Sequence, residues 1–151
     1  MNKEAYSKKM SSLLKLIRTE YALTQDEMAI VLGVSKKTLV ETEKGRRLLS
    51  WTESVALASV FSSSNILQNE FGGELNDMIH ALAFQDMHVQ YPDTMGGKVW
   101  WRPVKETEGY VIQQNMISHH YRLLNQEKQR MYSSFAYEDI EDYLTLIQNK
   151  A

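Results

Sequence analysis

Five side chains between residues 36 and 44 have the types and the spacing to contact the edges of DNA bases. On a helical wheel of about 100° per residue they fall within about 140° of one another, and they are Lys36, Lys37, Val40, Glu41 and Lys44. In a major groove, lysine donates to guanine O6 and N7, glutamate accepts from cytosine N4, and valine touches the thymine methyl group. Leu39 and Thr42 occupy the opposite side, which is expected to pack inward. The alternative is a solvated charged face on a small helical domain.

The residues around this segment carry the start and stop signals of two short helices. Thr24 and Glu27 form a capping box, and Gly33 ends the first helix by taking the left-handed conformation. Ser35 caps the second helix, which Gly45 ends. The pattern therefore predicts two helices joined by a tight turn, with a cationic, solvent-facing second helix suited to the major groove of DNA.

Capping signals and apolar spacing predict three further helices in this half of the chain. They cover about residues 7–20, 50–61 and 64–71. Ser50 and Glu53 form a second capping box, and either Ser64 or Asn65 caps the last helix.

The second half changes character after a predicted helix over residues 74–88. Three segments rich in aromatic and β-branched residues, as strands prefer, follow it: residues 98–104, 110–124 and 130–137. A last helix is predicted over residues 138–148, where acids in the first turn favour a helix start. A helix over residues 116–135 is the alternative, because apolar residues recur there every seven positions. A polar turn at 125–129 between aromatic flanks favours strands.

Together these elements predict an α+β chain of two domains. Residues 1–71 form an all-α, five-helix domain that contains the helix-turn-helix, and Gly72-Gly73 separates it from the rest. Residues 74–151 form a small antiparallel sheet with flanking helices, which is expected to serve as a sensing or dimerisation module.

Residues 8–62 resemble the Cro/repressor-like helix-turn-helix regulators, also called the XRE family. The matching segments are Leu16-Ile17-Arg18, Leu23-Thr24-Gln25-Asp26-Glu27-Met28-Ala29, Leu32-Gly33-Val34-Ser35 and Glu43-Lys44-Gly45-Arg46-Arg47. Two features depart from the family pattern. Leu48-Leu49-Ser50 replaces the common Lys-Pro-Ser, and Thr42 stands where an apolar residue is usual.

The resemblance implies a role for each matching residue. Arg18 and Glu43 match a buried ion pair that ties the first helix to the recognition helix. Gln25 matches a glutamine that contacts the DNA backbone and supports base reading. The positions that match contacts with base edges or flanking phosphates are Ser35, Lys36, Lys37 and Glu41. The positions that match the basic end that grips phosphate are Lys44, Arg46 and Arg47.

Charge is distributed unevenly along the chain. Residues 1–62 carry ten Lys and Arg against seven acids, giving +3, whereas residues 63–151 carry seven against twelve, giving −5. Such asymmetry is typical of one polyanion-binding domain joined to a regulatory or partner-binding domain, although counts this small also arise by chance.

There is no cysteine, which excludes disulfides and thiolate metal sites. No apolar run reaches the roughly 18 residues of a membrane span, and the first ten residues lack the apolar core of a signal peptide. We therefore expect a cytoplasmic protein.

These observations predict a sequence-specific regulator of transcription, with repression as the expected mode, that binds double-stranded DNA. One such domain reads too few bases for useful selectivity, so a homodimer that spans two half-sites about 34 Å apart is expected. Dimerisation is predicted to rest on residues after Phe61. A small-molecule or protein effector at the second domain is the expected source of control.

Other kinds of function have less support in the sequence. No catalytic motif is recognisable after Gly73, so an enzyme is not expected, and no cofactor is predicted. His119 and His120 would point to opposite faces of a strand and so not bind one metal ion. Trp100 and Trp101 have the chemistry to stack on bases, but core or interface packing is the commoner use of such residues. The alternative function is an antitoxin, whose second half would hold a toxin protein.

Overall fold

The computed structural model describes residues 1–93 and 99–150. These residues form seven helices and four strands, joined by turns and loops. Contacts divide the chain into two units, Met1–Tyr91 and Pro92–Ala151. The first unit is helical, whereas the described residues of the second unit form an antiparallel sheet and one helix. The predicted α+β class is therefore confirmed. None of the helices in the described ranges is both long enough and apolar enough to cross a membrane.

The first unit contains six helices, separated by short turns. They are α1 (Lys3–Glu20), α2 (Gln25–Leu32), α3 (Lys36–Glu43), α4 (Trp51–Val60), α5 (Asn65–Phe71) and α6 (Leu75–Ala83). The predicted capping boxes at Thr24 and Ser50 are both present, each with its glutamate bonded back to the capping residue. Gly33 ends α2 with a φ of +69°, the left-handed conformation that only glycine adopts without strain.

Helix α1 begins earlier than the sequence indicates. The prediction placed its start at Ser7, but the helix starts at Lys3 because Asn2 caps it. The Asn2 side chain accepts a hydrogen bond from the Ala5 amide at 2.8 Å. The extra turn adds Tyr6 to the buried face of the helix, where its side chain is fully enclosed.

One hydrophobic core holds all six helices together. Its fully enclosed side chains come from α1 to α5 and include Met10, Leu14, Ile17, Met28, Leu39, Leu57 and Leu67. Helix α6 adds Leu75, Ile79 and Leu82 to the same core. The expectation of five helices with a boundary at residues 71–74 therefore differs from the structure, in which the contact boundary follows Tyr91. Helix α6 also ends at Ala83 rather than at His88, and Asp86 beyond it has a φ of +64°.

The sheet of the second unit is a simple antiparallel meander. Its strands lie in the order β1 (Trp101–Thr107), β2 (Tyr110–Asn115), β3 (Tyr121–Leu124) and β4 (Arg130–Ser134). Helix α7 (Tyr137–Asn149) covers one face, where Ile140 and Leu144 pack on Ile112 and Leu123. The register pairs Ile112 with Leu123 across the two central strands, so this apolar face is continuous.

The predicted strand over residues 110–124 is wrong, because a turn divides it into β2 and β3. The Asn115 side chain accepts hydrogen bonds from the amides of Ile117 and Ser118 at 2.9 and 3.0 Å, and His119 has a φ of +64°. The two histidines thus lie at a turn, where the alternation of side chains along a strand does not apply.

Other boundaries in this unit shift by a few residues. The strand predicted over residues 98–104 runs over Trp101–Thr107, and Lys98 lies outside the described residues. The strand predicted over 130–137 ends at Ser134, because the last helix already begins at Tyr137. The choice of strands over a helix for residues 116–135 is confirmed by β3 and β4. Among the described residues of this unit, α7 is the one helix that flanks the sheet, since the other predicted flanking helix, α6, belongs to the helical core.

Candidate nucleic-acid interface

Helix α3 is anchored along one side and open along the other. Leu39 and Thr42 are 1% and 2% exposed, so they form its buried side. The Thr42 hydroxyl donates to the Thr38 carbonyl at 2.8 Å, which satisfies the polar group on this buried side. The start of the helix is set by Ser35, whose side chain accepts from the Thr38 amide at 3.0 Å.

The open side of α3 presents lysines to solvent. Lys36, Lys37 and Lys44 are exposed, whereas Val40 and Glu41 are half-buried. The five residues singled out for base reading therefore share one side of the helix but differ in accessibility. The three ammonium groups are immediately available to a polyanion, and the valine and the glutamate lie closer to the protein surface.

Lys36 is paired with Asp26, an acid outside the predicted DNA-contacting set. Its Nζ atom lies 3.2 Å from Asp26 Oδ1, and both side chains are more than half exposed. Such a surface pair contributes little stability, roughly 0–1 kcal/mol. Lys36 can therefore leave Asp26 and pair with another anion at little cost. Within the described part of the chain, Lys37 and Lys44 have no ion-pair partner.

The two arginines that follow α3 are also held by acids. Arg46 Nη1 lies 3.5 Å from Glu41 Oε1, and Arg47 Nη2 lies 3.1 Å from Glu53 Oε1. Burial raises the pKa of Glu53, but hydrogen bonds from the Ser50 amide and Arg47 outweigh that effect, and the pKa lies below its usual value. Both arginines remain exposed, 65% for the Arg46 side chain and 40% for that of Arg47, although each lies beside an acid.

Arg18 and Glu43 brace α3 against α1. Arg18 Nε and Nη2 donate to the two carboxylate oxygens of Glu43 at 2.8 and 2.9 Å, and the side chains are only 16% and 4% exposed. The hydrogen bond to Glu43 raises the pKa of Arg18, against a smaller lowering by burial. Arg18 Nη1 also donates to the Leu23 carbonyl at 2.9 Å, so one guanidinium joins α1, the start of α2 and the end of α3.

Gln25 belongs to the same cluster. Its amide nitrogen donates to Glu43 Oε1 at 3.5 Å, and the residue is half-buried at the first position of α2. The residue that the resemblance assigns to backbone contact is thus positioned by the ion pair that orients α3.

The loop between α3 and α4 is fixed by a contact that no local sequence signal predicts. The Leu49 amide donates to the Ser11 hydroxyl of α1 at 2.8 Å, and the Leu49 side chain is 3% exposed. Leu48 is 52% exposed. The two adjacent leucines therefore differ, since Leu49 belongs to the core and Leu48 lies on the surface.

The sequence raises two alternatives for the second unit, a metal site at its histidines and base stacking by its tryptophans, and Trp101 and His120 lie in contact with each other. Within residues 1–93 and 99–150, no three histidine or acidic side chains are grouped so that they could hold a metal ion. The ring of Trp101 is engaged within the protein, because the Arg122 guanidinium lies 3.7 Å from its centroid and His120 packs edge-on against it.

Comparison with known protein families, with curated proteins and with solved structures finds no match to this chain. The interpretation of α2 and α3 accordingly depends on their own residues and geometry.

Proposed function

We propose that this protein is a sequence-specific regulator of transcription that binds double-stranded DNA through residues 35–44. The observation that carries the proposal is the contrast between the two sides of α3. One side is held by Leu39, Thr42 and the ion pair at Glu43, while the other side presents lysines to solvent. A rigidly held helix with a cationic outer side is what major-groove insertion requires.

The side chains of α3 divide into readers of bases and binders of phosphate. Lys36 and Lys37 donate to guanine, Glu41 accepts from cytosine, and Val40 touches thymine methyl groups. Gln25 and Ser35 contact the flanking backbone. The residues assigned to phosphate are Lys44, Arg46 and Arg47. Phosphate contacts supply most of the affinity, and base contacts supply the selectivity.

DNA binding exchanges weak ion pairs within the protein for contacts with DNA. Lys36 leaves Asp26 and Arg46 leaves Glu41, both of them pairs with a largely exposed cation. Each exchange costs at most about 1 kcal/mol. The Arg18–Glu43 pair is buried, so it stays intact and keeps the helix oriented throughout binding.

The protein acts as a homodimer and as a repressor in this proposal. A single helical unit covers too few base pairs for selectivity, and a two-fold dimer places two recognition helices about 34 Å apart. The second unit provides dimerisation or binds a small-molecule or protein effector. Its acidic balance disfavours direct contact with DNA.

Selection of bound sequences from random duplex DNA at two salt concentrations tests the proposal. The wild type should enrich one sequence as two half-sites of fixed spacing. Lys36→Ala combined with Lys37→Ala should abolish that enrichment and leave the helical circular dichroism signal unchanged. Lys105→Ala combined with Lys150→Ala removes the same charge from the second unit and should enrich the wild-type sequence.

Two results would contradict the proposal. One is unchanged enrichment in the Lys36 and Lys37 double variant, which would remove α3 from base reading. The other is a wild-type protein that retains no duplex at either salt concentration. A second protein that co-purifies in a fixed ratio would point to the antitoxin instead.

A further inference from the structure

A groove of about 250 Å³ lies between α1 and the loop that follows α3. Cationic side chains line it from both sides, with Lys8 and Lys15 on α1 and Arg47 on the loop. The two lysines are seven residues apart, which places them on one face of the helix and about 10 Å apart along its axis. Neither of them belongs to the set that the sequence assigned to DNA.

The two groove lysines differ from the other lysines near the start of α1. Lys9 pairs with Glu70 at 2.6 Å, and Lys3 lies 5.2 Å from the centre of the Trp51 ring. In the described residues, Lys8 and Lys15 form no ion pair. These two cations therefore face a shared space without a counter-ion from the protein.

The one acid that lines the groove is already neutralised. Both carboxylate oxygens of Glu43 accept hydrogen bonds from Arg18. Arg47 is balanced by Glu53, so the unbalanced charge in the groove comes from Lys8 and Lys15. An anion there would offset the repulsion between them.

The loop that lines the groove with Gly45, Arg47 and Leu48 also carries unbonded backbone donors. The amides of Arg47 and Leu48 donate to no acceptor in residues 1–93 and 99–150, although the next amide, that of Leu49, is bonded to Ser11. Backbone amides next to cationic side chains form sites for phosphate-like anions. The bond to Ser11 holds the loop against α1, so both walls of the groove are fixed relative to each other.

We propose that this groove binds one phosphate of the DNA backbone that flanks the bases read by α3. The inference rests on the DNA-binding function proposed above and extends the contact surface from α3 to α1. The loop continues directly from the end of α3, so an anion in the groove lies beside the reading helix. Lys8 and Lys15 act as the binding residues, and their contribution is independent of base sequence.

The salt dependence of binding to the selected duplex tests the groove. Lys8→Ala combined with Lys15→Ala should make the negative slope of log K against log salt shallower by about 0.9, the value for one phosphate. The enriched sequence should not change. Lys3→Ala combined with Lys9→Ala removes the same charge from other faces of α1 and should keep the wild-type slope. Both double variants alter exposed or half-buried side chains, and circular dichroism checks their folding.

A third variant places a negative charge in the groove and keeps both lysines. Ser12 is exposed and lines the groove, so Ser12→Asp should weaken duplex binding at low salt, and the difference should shrink as salt is raised.

Three results separate the possible failures. Equal slopes for the two lysine double variants, with the wild type still bound to DNA, would overturn the groove assignment alone. If inorganic phosphate binds in the groove while the two DNA slopes are equal, the groove is a site for a free anion. This result would also overturn the proposal that it binds a DNA phosphate. Absence of duplex binding by the wild type would overturn the proposed function and this inference with it.

Discussion

The carboxylate of Glu20, the last residue of α1, caps α5 through Ser64. Its Oε2 atom accepts a hydrogen bond from the Ser64 hydroxyl at 2.8 Å, and its Oε1 atom accepts one from the Asn65 amide at 2.8 Å. Ser64 in turn accepts from the Leu67 amide at 3.2 Å. An acid at a helix start is favoured by the helix dipole, so this contact joins the end of α1 to the start of a helix more than forty residues later.

Removal of this cap should destabilise the helical unit. Glu20→Ala removes the acceptor of three donors at the start of α5, the Ser64 hydroxyl and the amides of Asn65 and Ile66. The free energy of unfolding should fall by about 1 kcal/mol, the usual effect of losing a helix cap. Urea denaturation measures the change. Glu74 provides a matched control, because it occupies the first capping position of α6 without making a side-chain cap hydrogen bond. Equal losses for Glu20→Ala and Glu74→Ala would contradict the capping role.

The Arg18–Glu43 pair should be strongly coupled. Arg18→Met leaves the carboxylate of Glu43, which is 4% exposed, without its cation and with only the long hydrogen bond from Gln25. Loss of one member of a buried pair costs about 3–5 kcal/mol, and the lower end applies here because Arg18 retains some contact with water. Adding Glu43→Leu to Arg18→Met should restore most of the stability, since the unpaired charge is then gone. Denaturation of both single variants and the double variant forms the required cycle. Additive losses would show that the pair contributes no coupling.

Local signals in the sequence predicted the elements that depend on neighbouring residues. The caps at Thr24 and Ser50 and the left-handed Gly33 involve residues three or four positions apart, and such signals are visible in sequence. The turn at Asn115 is also local, but apolar residues follow it, and they resemble the continuation of a strand. The turn forms nevertheless, because the Asn115 side chain accepts hydrogen bonds from two amides of the turn, and these outweigh the strand preference of the apolar residues.

Contacts across the fold were less predictable. The pairs Lys36–Asp26 and Arg47–Glu53 join residues on different elements. The sequence pattern that predicted these cations as DNA contacts therefore gave no indication of the acids that pair with them. The same holds for the groove lined by Lys8 and Lys15, which exists only because α1 packs beside the loop after α3. Sequence periodicity predicted which side of α3 is buried and which carries the exposed lysines, and tertiary packing determines the rest of the charged surface.

Tyr6 should make stability fall at high pH. Its ring packs against Trp51 and Phe71, and its buried hydroxyl has no hydrogen-bond partner among the described residues. Burial raises its pKa from 10.0 to about 12. The folded state therefore keeps the proton more tightly than the unfolded state, so stability is fully present below pH 10 and is lost as pH rises through 12. Unfolding by urea between these pH values should show a steeper loss for the wild type than for Tyr6→Phe.

The same substitution should raise stability at neutral pH. An unsatisfied buried hydroxyl costs about 1–3 kcal/mol, and Tyr6→Phe removes it while keeping the ring. At pH 7 the free energy of unfolding of Tyr6→Phe should be higher than that of the wild type. A fall of more than about 1 kcal/mol would mean that the hydroxyl has a favourable interaction in the folded protein.

Glu41 should determine base preference rather than affinity. A carboxylate beside DNA phosphates is repelled, so its presence on the reading side of α3 is useful only if it accepts a hydrogen bond from a base. Glu41→Gln should therefore keep or raise affinity for random duplex DNA while losing the preference for cytosine at one position of each half-site. Asp26→Asn is the matched control, since it removes the same charge and releases Lys36 without altering an acceptor on α3. Selection from random duplex DNA with both variants compares them directly. A cytosine preference that survives in Glu41→Gln but disappears in Asp26→Asn would exclude Glu41 as the residue that reads cytosine.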